Sequence, residues 1–528
     1  MKRNALLVCV LLAVLTFGVA ALAGGPLRVT FAWPTYIDPA VGSDFSSSSS
    51  LINLYDTLVY PDTKGDPLPH VATSWEASPD GLTWTFHLRD DVLFHDGTPL
   101  TAADVKYSMD RLTTIGEGYG FLFVGRVAST EAVDDHTVVF HLSQPFGPFL
   151  STLYRLYILN AKLVEAHIVT PGAYGDLGDY GKQYLIDHDA GSGPYMVTDF
   201  QVQSQLDMAK NPNYWLPLDP ATPDTLSFMG TTEPATIRTM MSRKELEISD
   251  QWQPEESLKA LSQIQGVKVA SFAAGTEFYL MMNTKKPPTD DIHFRRAMAY
   301  ATDYATVVND IFPGSIQARG PVPQSLPGAD PNAFAFHRDL DKARAELAQS
   351  RYADELDDYP VVFHWIAEVP DEEKAALSFM SNMADIGITV KVVKVPWLSV
   401  VEEMGKVDTS PNIVSVFDSS HYPEAGSLLE SRYASASAPT WEQNEWLLDG
   451  MLDELINNAL STTDRQERFA KYAQISTYIS ALCPTIFLFE QVEKHAYQSS
   501  YVEWPAANGQ VIPVMGYNLS ARFIKVND

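Results

Sequence analysis

Cysteine is nearly absent from this chain, with two in 528 residues. Cys9 lies in an N-terminal stretch that reads as a removable leader, which leaves Cys483 alone. No internal disulfide and no cysteine-based metal cluster can then form, and Cys483 reads as a small buried hydrophobe beside Pro484. Basic residues are also scarce, 37 Lys and Arg against 66 Asp and Glu, for a net charge of −29. Such a field disfavours nucleic acid and anionic membrane surfaces. The acids are dispersed, as on a solvated surface. Past the N-terminus no apolar run approaches the roughly 20 residues of a membrane-spanning helix.

Catalytic signatures are missing as well. There is no G-x-x-x-x-G-K-[ST] phosphate loop and no H-E-x-x-H zinc helix. Gly116, Gly118 and Gly120 begin a dinucleotide fingerprint, but Phe121 follows and no strand leads in. Gly191-Ser192-Gly193 lacks the G-x-S-x-G spacing of a nucleophile elbow. His95-Asp96-Gly97 reads as a turn, with Asp96 folding onto its own backbone. No nucleophile, base and orienter set emerges, so the chain is not expected to be an enzyme and no cofactor or metal is expected.

The N-terminus has the three parts of a secretory leader. Lys2 and Arg3 precede an apolar stretch from Leu6 to Val19, and Ala21-Leu22-Ala23 supplies a cleavage site. Gly24 and Gly25, not a lipidatable Cys, follow the expected cut. A freely diffusing periplasmic protein is expected.

Along the rest, strand patterns alternate with helical ones. Thr83 to Leu88 and Thr137 to Leu142 alternate as strands do, the stretches from Tyr359 to Trp365 and Ile388 to Val395 read likewise, and Ile486 to Phe489 reads as an apolar strand after Pro484. The spacing predicts helices over Asp371 to Asp385, Phe294 to Val308, Leu447 to Ala459 and Arg465 to Ile479. In the first, Leu377, Met380 and Ala384 should share one face; in the third, Leu448, Met451 and Leu452 should do so. Ser46 to Ser50 marks a loop or a helix start. Such alternation argues for α/β domains with mixed sheets.

The stretch from Leu58 to Leu112 carries ATSWE (Ala72 to Glu76), FHLR (Phe86 to Arg89), FHDGTP (Phe94 to Pro99) and TAADV (Thr101 to Val105). It resembles the signature region of the family 5 extracellular solute-binding proteins, the dipeptide, oligopeptide and nickel binders of ABC importers. Asp38-Pro39, GSGPY (Gly191 to Tyr195), NPNYW (Asn211 to Trp215) and the Asn283 to Asp303 pattern around Arg295 extend the likeness. It lapses at Ser242 to Ile248, where Ser-Gly-Glu-Val-Asp is usual.

The resemblance implies a two-lobed periplasmic-binding-protein fold with a hinge. One lobe would take residues 24–65, 190–278 and 497–528, with an extra subdomain over 66–189, and the other 279–496. A monomer is expected to trap a small solute between the lobes and present it to an ABC permease. Peptide binders of this family commonly place an acid four residues before a Pro, to pair with the ligand's α-amino group. Ser419 stands four before Pro423, and Asp418 is one residue too early. Asp418 therefore reads either as a shifted anchor or as a solvated loop acid. His421 reads as a metal-chelate ligand or a surface loop histidine. Trp33 and Trp252 are the preferred aromatic cleft candidates, with Tyr279 and Tyr119 behind them; core packing is the ordinary role of each. Peptides rank just ahead of oligosaccharides as ligand. A nickel chelate, a periplasmic chaperone role and a secreted hydrolase follow.

Overall fold

A computed structural model describes residues 24–31 and 33–527. The leader and its cleavage site lie outside the described residues.

β1 (Leu27–Phe31) opens the fold, and α1 (Phe45–Leu54) follows. The serine run forms the body of α1. Its N-cap is Asp44, whose side chain accepts from the Ser47 N–H at 2.8 Å. Next come β2 (Ala72–Ala77), β3 (Thr83–Leu88), α2 (Ala102–Ile115), β4 (Val127–Asp134) and β5 (Thr137–Leu142). These four strands make one antiparallel sheet in the order β2-β3-β5-β4. Asp104 closes a capping box at the head of α2, accepting from the Thr101 N–H at 2.9 Å. The expected turn is also formed, since Asp96 accepts from the Thr98 N–H and Gly97 sits at φ +84°.

β6 (Tyr195–Gln201), β7 (Gln205–Lys210) and β8 (Thr225–Gly230) return to β1, and the sheet runs β1-β8-β7-β6 with β1 parallel to β8. The chain then enters β9 (Lys268–Met282), α3 (Ile292–Ala301), β10 (Ile316–Gln317), β11 (Val361–Ile366) and α4 (Pro370–Ala384). β12 (Val390–Val395), α5 (Trp397–Met404), β13 (Ile413–Ser419), α6 (Ala425–Tyr433), α7 (Gly450–Leu460), α8 (Arg465–Leu482) and β14 (Thr485–Tyr497) complete the larger elements. Six strands form the third sheet, β10-β14-β9-β13-β11-β12. The long strands β9 and β14 are antiparallel, and their register skips between Ala273 and Glu277, where Gly275 takes φ +76°.

The motif residues do structural work. Arg111 of α2 holds Asp38 through two 2.7 Å bonds, sealed from solvent. Asp56 gathers Ser192, Tyr214, Trp215 and His70 at 2.8–3.1 Å, which ties the GSGPY and NPNYW segments to one buried carboxylate. Arg295 donates to the carbonyls of Thr289, Leu482 and Cys483, closing the C-terminal end of α8. Cys483 is buried, as its sequence context suggested.

Three expectations need correction. The Phe294 helix stops at Ala301 because Thr302 is extended and Asp303 caps a new short turn. Leu377 faces solvent on α4, and Leu448 and Met451 do so around the start of α7. The strand expected over Ile486 to Phe489 continues to Tyr497.

Candidate functional site

The end of β1 and the start of α1 bring three groups to one rim. Ser46 donates its hydroxyl to the Trp33 carbonyl, so the helix start fixes the tryptophan. Trp33 stacks on Trp397 of α5, with centroids 5.8 Å apart and planes at 24°. The Trp397 indole N–H donates to Asp44 at 3.3 Å, and Trp441 meets Trp397 edge-on at 5.2 Å. Two chain regions far apart in sequence thus share one aromatic wall. Opposite them Trp252 packs on Phe417 of β13 at 5.0 Å.

These walls enclose a cleft with about 600 Å³ between them, its open mouth included. Asp44, Glu372 and Asp418 are its charged lining, with Gln251, Thr276 and Ser419 as neutral polar groups. Among the described residues no Lys, Arg or His side chain lines it. Burial raises the Asp44 carboxyl above the usual range and pushes Glu372 up to about 8.

Asp418 is neither a loop residue nor a solvated one. It lies in β13, buried, and accepts from Arg432 Nε at 2.8 Å and from the Ser419 N–H at 2.7 Å. Arg432 also donates to Glu277 at 2.5 Å, and its guanidinium carbon sits 4.1 Å from the centre of the Tyr279 ring. Burial pushes Glu277 up to about 8 against the pull of Arg432. Burial raises the Asp418 carboxyl as well, against the pull of Arg432, so two buried acids share one guanidinium.

The other candidates divide. Trp33, Trp252 and Ser419 line the cleft with Asp418. Tyr279 lies beneath it, fully buried, its hydroxyl 3.5 Å from Asp418. Tyr119 does not reach the cleft. Its ring is enclosed, and its hydroxyl is satisfied by the Ser48 hydroxyl and the Ser43 carbonyl. His421 is not a surface histidine. It is buried edge-on to Tyr119, with Nε2 2.7 Å from Glu442. Asp418, His421 and Glu442 bring potential ligand atoms within 4.8 Å of one another. A cation there would compete with Arg432 for Asp418, so this donor set fits a metal poorly.

Sequence reading missed Asp44, Glu372 and Trp441. Asp44 had a signal, since an Asp directly before a serine run is an N-cap pattern. Glu372 had none, standing between Asp371 and Glu373 in an acidic first turn that ordinarily complements the helix dipole.

The model of the bacterial extracellular solute-binding proteins, family 5, matches residues 66–437. The chain belongs to that family. This family 5 protein is 32% identical over 468 residues to a probable D,D-dipeptide-binding periplasmic protein of Escherichia coli K12, covering 87% of each chain. Its fold matches a periplasmic binding protein of Helicobacter pylori solved with the peptide STSA, at TM-score 0.84 and 22% identity, covering 96% of this chain and 99% of that one. It also matches an A. tumefaciens R10 binding protein solved with agropinic acid, at TM-score 0.82 and 21% identity, over 96% and 99% of the two chains. The family 5 protein is thus the two-lobed α/β solute-binding component of an ABC importer, in a family of binders rather than enzymes. Among the described residues no helix is long and apolar enough to cross a membrane.

Proposed function

We propose that this protein captures a short peptide with a free amino terminus in the cleft between its lobes and hands it to its permease. The observation that carries this reading is the lining itself, three acidic side chains among aromatic walls and, among the described residues, no basic one. An ammonium gains both from the carboxylates and from the faces of Trp33, Trp252 and Trp441. The E. coli relative, named as a D,D-dipeptide binder, supports the same class.

We propose the same lobes that the sequence suggests, 24–65 with 190–278 and 497–528 against 279–496, with 66–189 as a subdomain. Closure would bend the β9–β14 pair at its register skip, and a ligand touching both walls would favour the closed form. Export by the N-terminal leader, a periplasmic location and a monomeric state belong to the same reading.

Native mass spectrometry on the purified protein, offered a mixture of free di- to tetrapeptides and of oligosaccharides, tests it. Retained masses that resolve into amino acids bear it out. Retention of hexose-spaced masses alone would replace it with sugar stacking on the tryptophans.

A further inference from the structure

Of the three acids in the first turn of α4, Glu373 faces solvent and Asp371 pairs with Lys374 at 2.8 Å. Glu372 alone turns into the cleft. Its Oε2 accepts from the Ile366 N–H at 2.9 Å and from the Ser415 hydroxyl at 2.7 Å. Its Oε1 is shielded from solvent and has no partner. A buried polar atom without a partner is costly, and a position lining a ligand cleft is where a ligand group would satisfy it. Asp418, the other acid on this wall, already matches Arg432.

We propose that Glu372, and not Asp418, takes the ligand's ammonium group; this rests on the peptide reading of the cleft. The two donors fix Oε2 and so the carboxyl plane, which leaves Oε1 as the oxygen still to be satisfied. Burial holds Glu372 at about 8, and the nearby charge of Glu368 adds to the effect. The other charged groups around it are Asp371 with its Lys374 on the same helix, Asp418 with its Arg432 on β13, and Asp44 across the cleft. None places an unmatched cation against Oε1. At pH 7 Glu372 therefore carries a proton on Oε1, because Oε2 is already accepting twice. An arriving ammonium favours the ionised form, and the proton leaves to solvent. Binding is thus coupled to release of close to one proton.

The test uses a library of free di- and tripeptides beside the same library N-acetylated, with retention read by native mass spectrometry for wild type and Glu372→Gln. The Gln carbonyl keeps both acceptor bonds to Ile366 and Ser415, so the helix should remain seated. Wild type is expected to retain free peptides only, and Glu372→Gln to lose at least tenfold in affinity. Calorimetry of the best-retained peptide in phosphate and in Tris at pH 7 should show release of near one proton, abolished in the variant. Equal retention by Glu372→Gln overturns the Glu372 assignment and leaves the peptide reading standing, whereas retention of acetylated peptides by wild type overturns the assignment together with the free amino terminus of that reading. Wild type retaining no peptide at all sinks both. If circular dichroism shows Glu372→Gln to be unfolded, the wild-type proton count decides, and a count near zero rejects the proposal.

Discussion

Arg432 donates its Nε to Asp418 at 2.8 Å with both side chains sealed from solvent. The same guanidinium reaches Glu277 and the face of Tyr279. Removing one member of such a set strands a charge in a medium that cannot solvate it. Arg432→Met is therefore expected to cost about 3–5 kcal/mol in urea unfolding. Adding Asp418→Asn should recover much of that loss, because the stranded carboxylate becomes neutral. A loss below about 1 kcal/mol for the single variant would show that water enters this cluster.

Stability without ligand should fall as pH rises from about 4.5 to about 8. Glu277, Glu372 and Glu445 are each pushed up to about 8 by burial, from an ordinary 4.5. Across that window the folded chain keeps protons that the unfolded chain has released. Each group then removes up to about 1.4 kcal/mol of stability per pH unit, levelling off above its folded pKa. At the acid end, Asp56 has the opposite sign. Burial raises it, but His70, Arg522 and Trp215 outweigh burial and leave it below its ordinary value. Its stabilisation is lost as pH falls below about 4. Denaturant titrations at pH 5, 6, 7 and 8 should show the decline, with Glu372→Gln flattening part of it. A profile that rises from pH 5 to 8 would contradict the protonated state of these acids.

Half-buried strands were the most legible part of this chain. Thr83–Leu88 and Thr137–Leu142 begin and end where their alternation does, because one face is wet and the other dry. The apolar run predicts β14 too short because its second half buries the polar Gln491, Glu493 and His495, of which Glu493 meets Thr276 and His495 the Ser249 carbonyl. Helix faces were misassigned where apolar residues occupy two stripes, as with Leu377 opposite the buried Phe379. The family motifs gave the architecture, since Asp38, Trp215 and Arg295 hold elements together rather than ligand. Trp33, Trp252 and Asp418 were within reach as individual residues. Their assembly with Asp44 and Glu372 was not, because no local pattern records which distant acid a guanidinium has already neutralised.

Gly275 should be the least replaceable glycine of the β9–β14 skip. At φ +76° a side chain costs roughly 1–2 kcal/mol, and an added Cβ would come within 3.1 Å of Leu326. Gly97, at φ +84°, has nothing within 4 Å of such a Cβ. Gly275→Ala is therefore expected to lose more stability than Gly97→Ala, by several tenths of a kcal/mol or more, since only it pays for contact as well as conformation. Equal losses in urea unfolding would mean that Leu326 yields freely.

Trp33 and Trp397 stack on each other, yet their indole N–H groups differ. The Trp397 N–H reaches Asp44, whereas that of Trp33 is buried without a partner. Trp397→Phe should then cost the empty protein about 1 kcal/mol or more, the loss of a bond to a carboxylate. Trp33→Phe removes an unsatisfied donor and should leave unfolding stability within about 1 kcal/mol of wild type. Ligand affinity should reverse the ranking in sensitivity. If a bound peptide offers a carbonyl to Trp33, Trp33→Phe loses about three- to tenfold in Kd, the usual worth of one neutral hydrogen bond. Unfolding curves and peptide titrations of the two variants, taken together, separate a packing tryptophan from one held ready for a ligand. Unchanged affinity in Trp33→Phe would assign its ring to the wall alone.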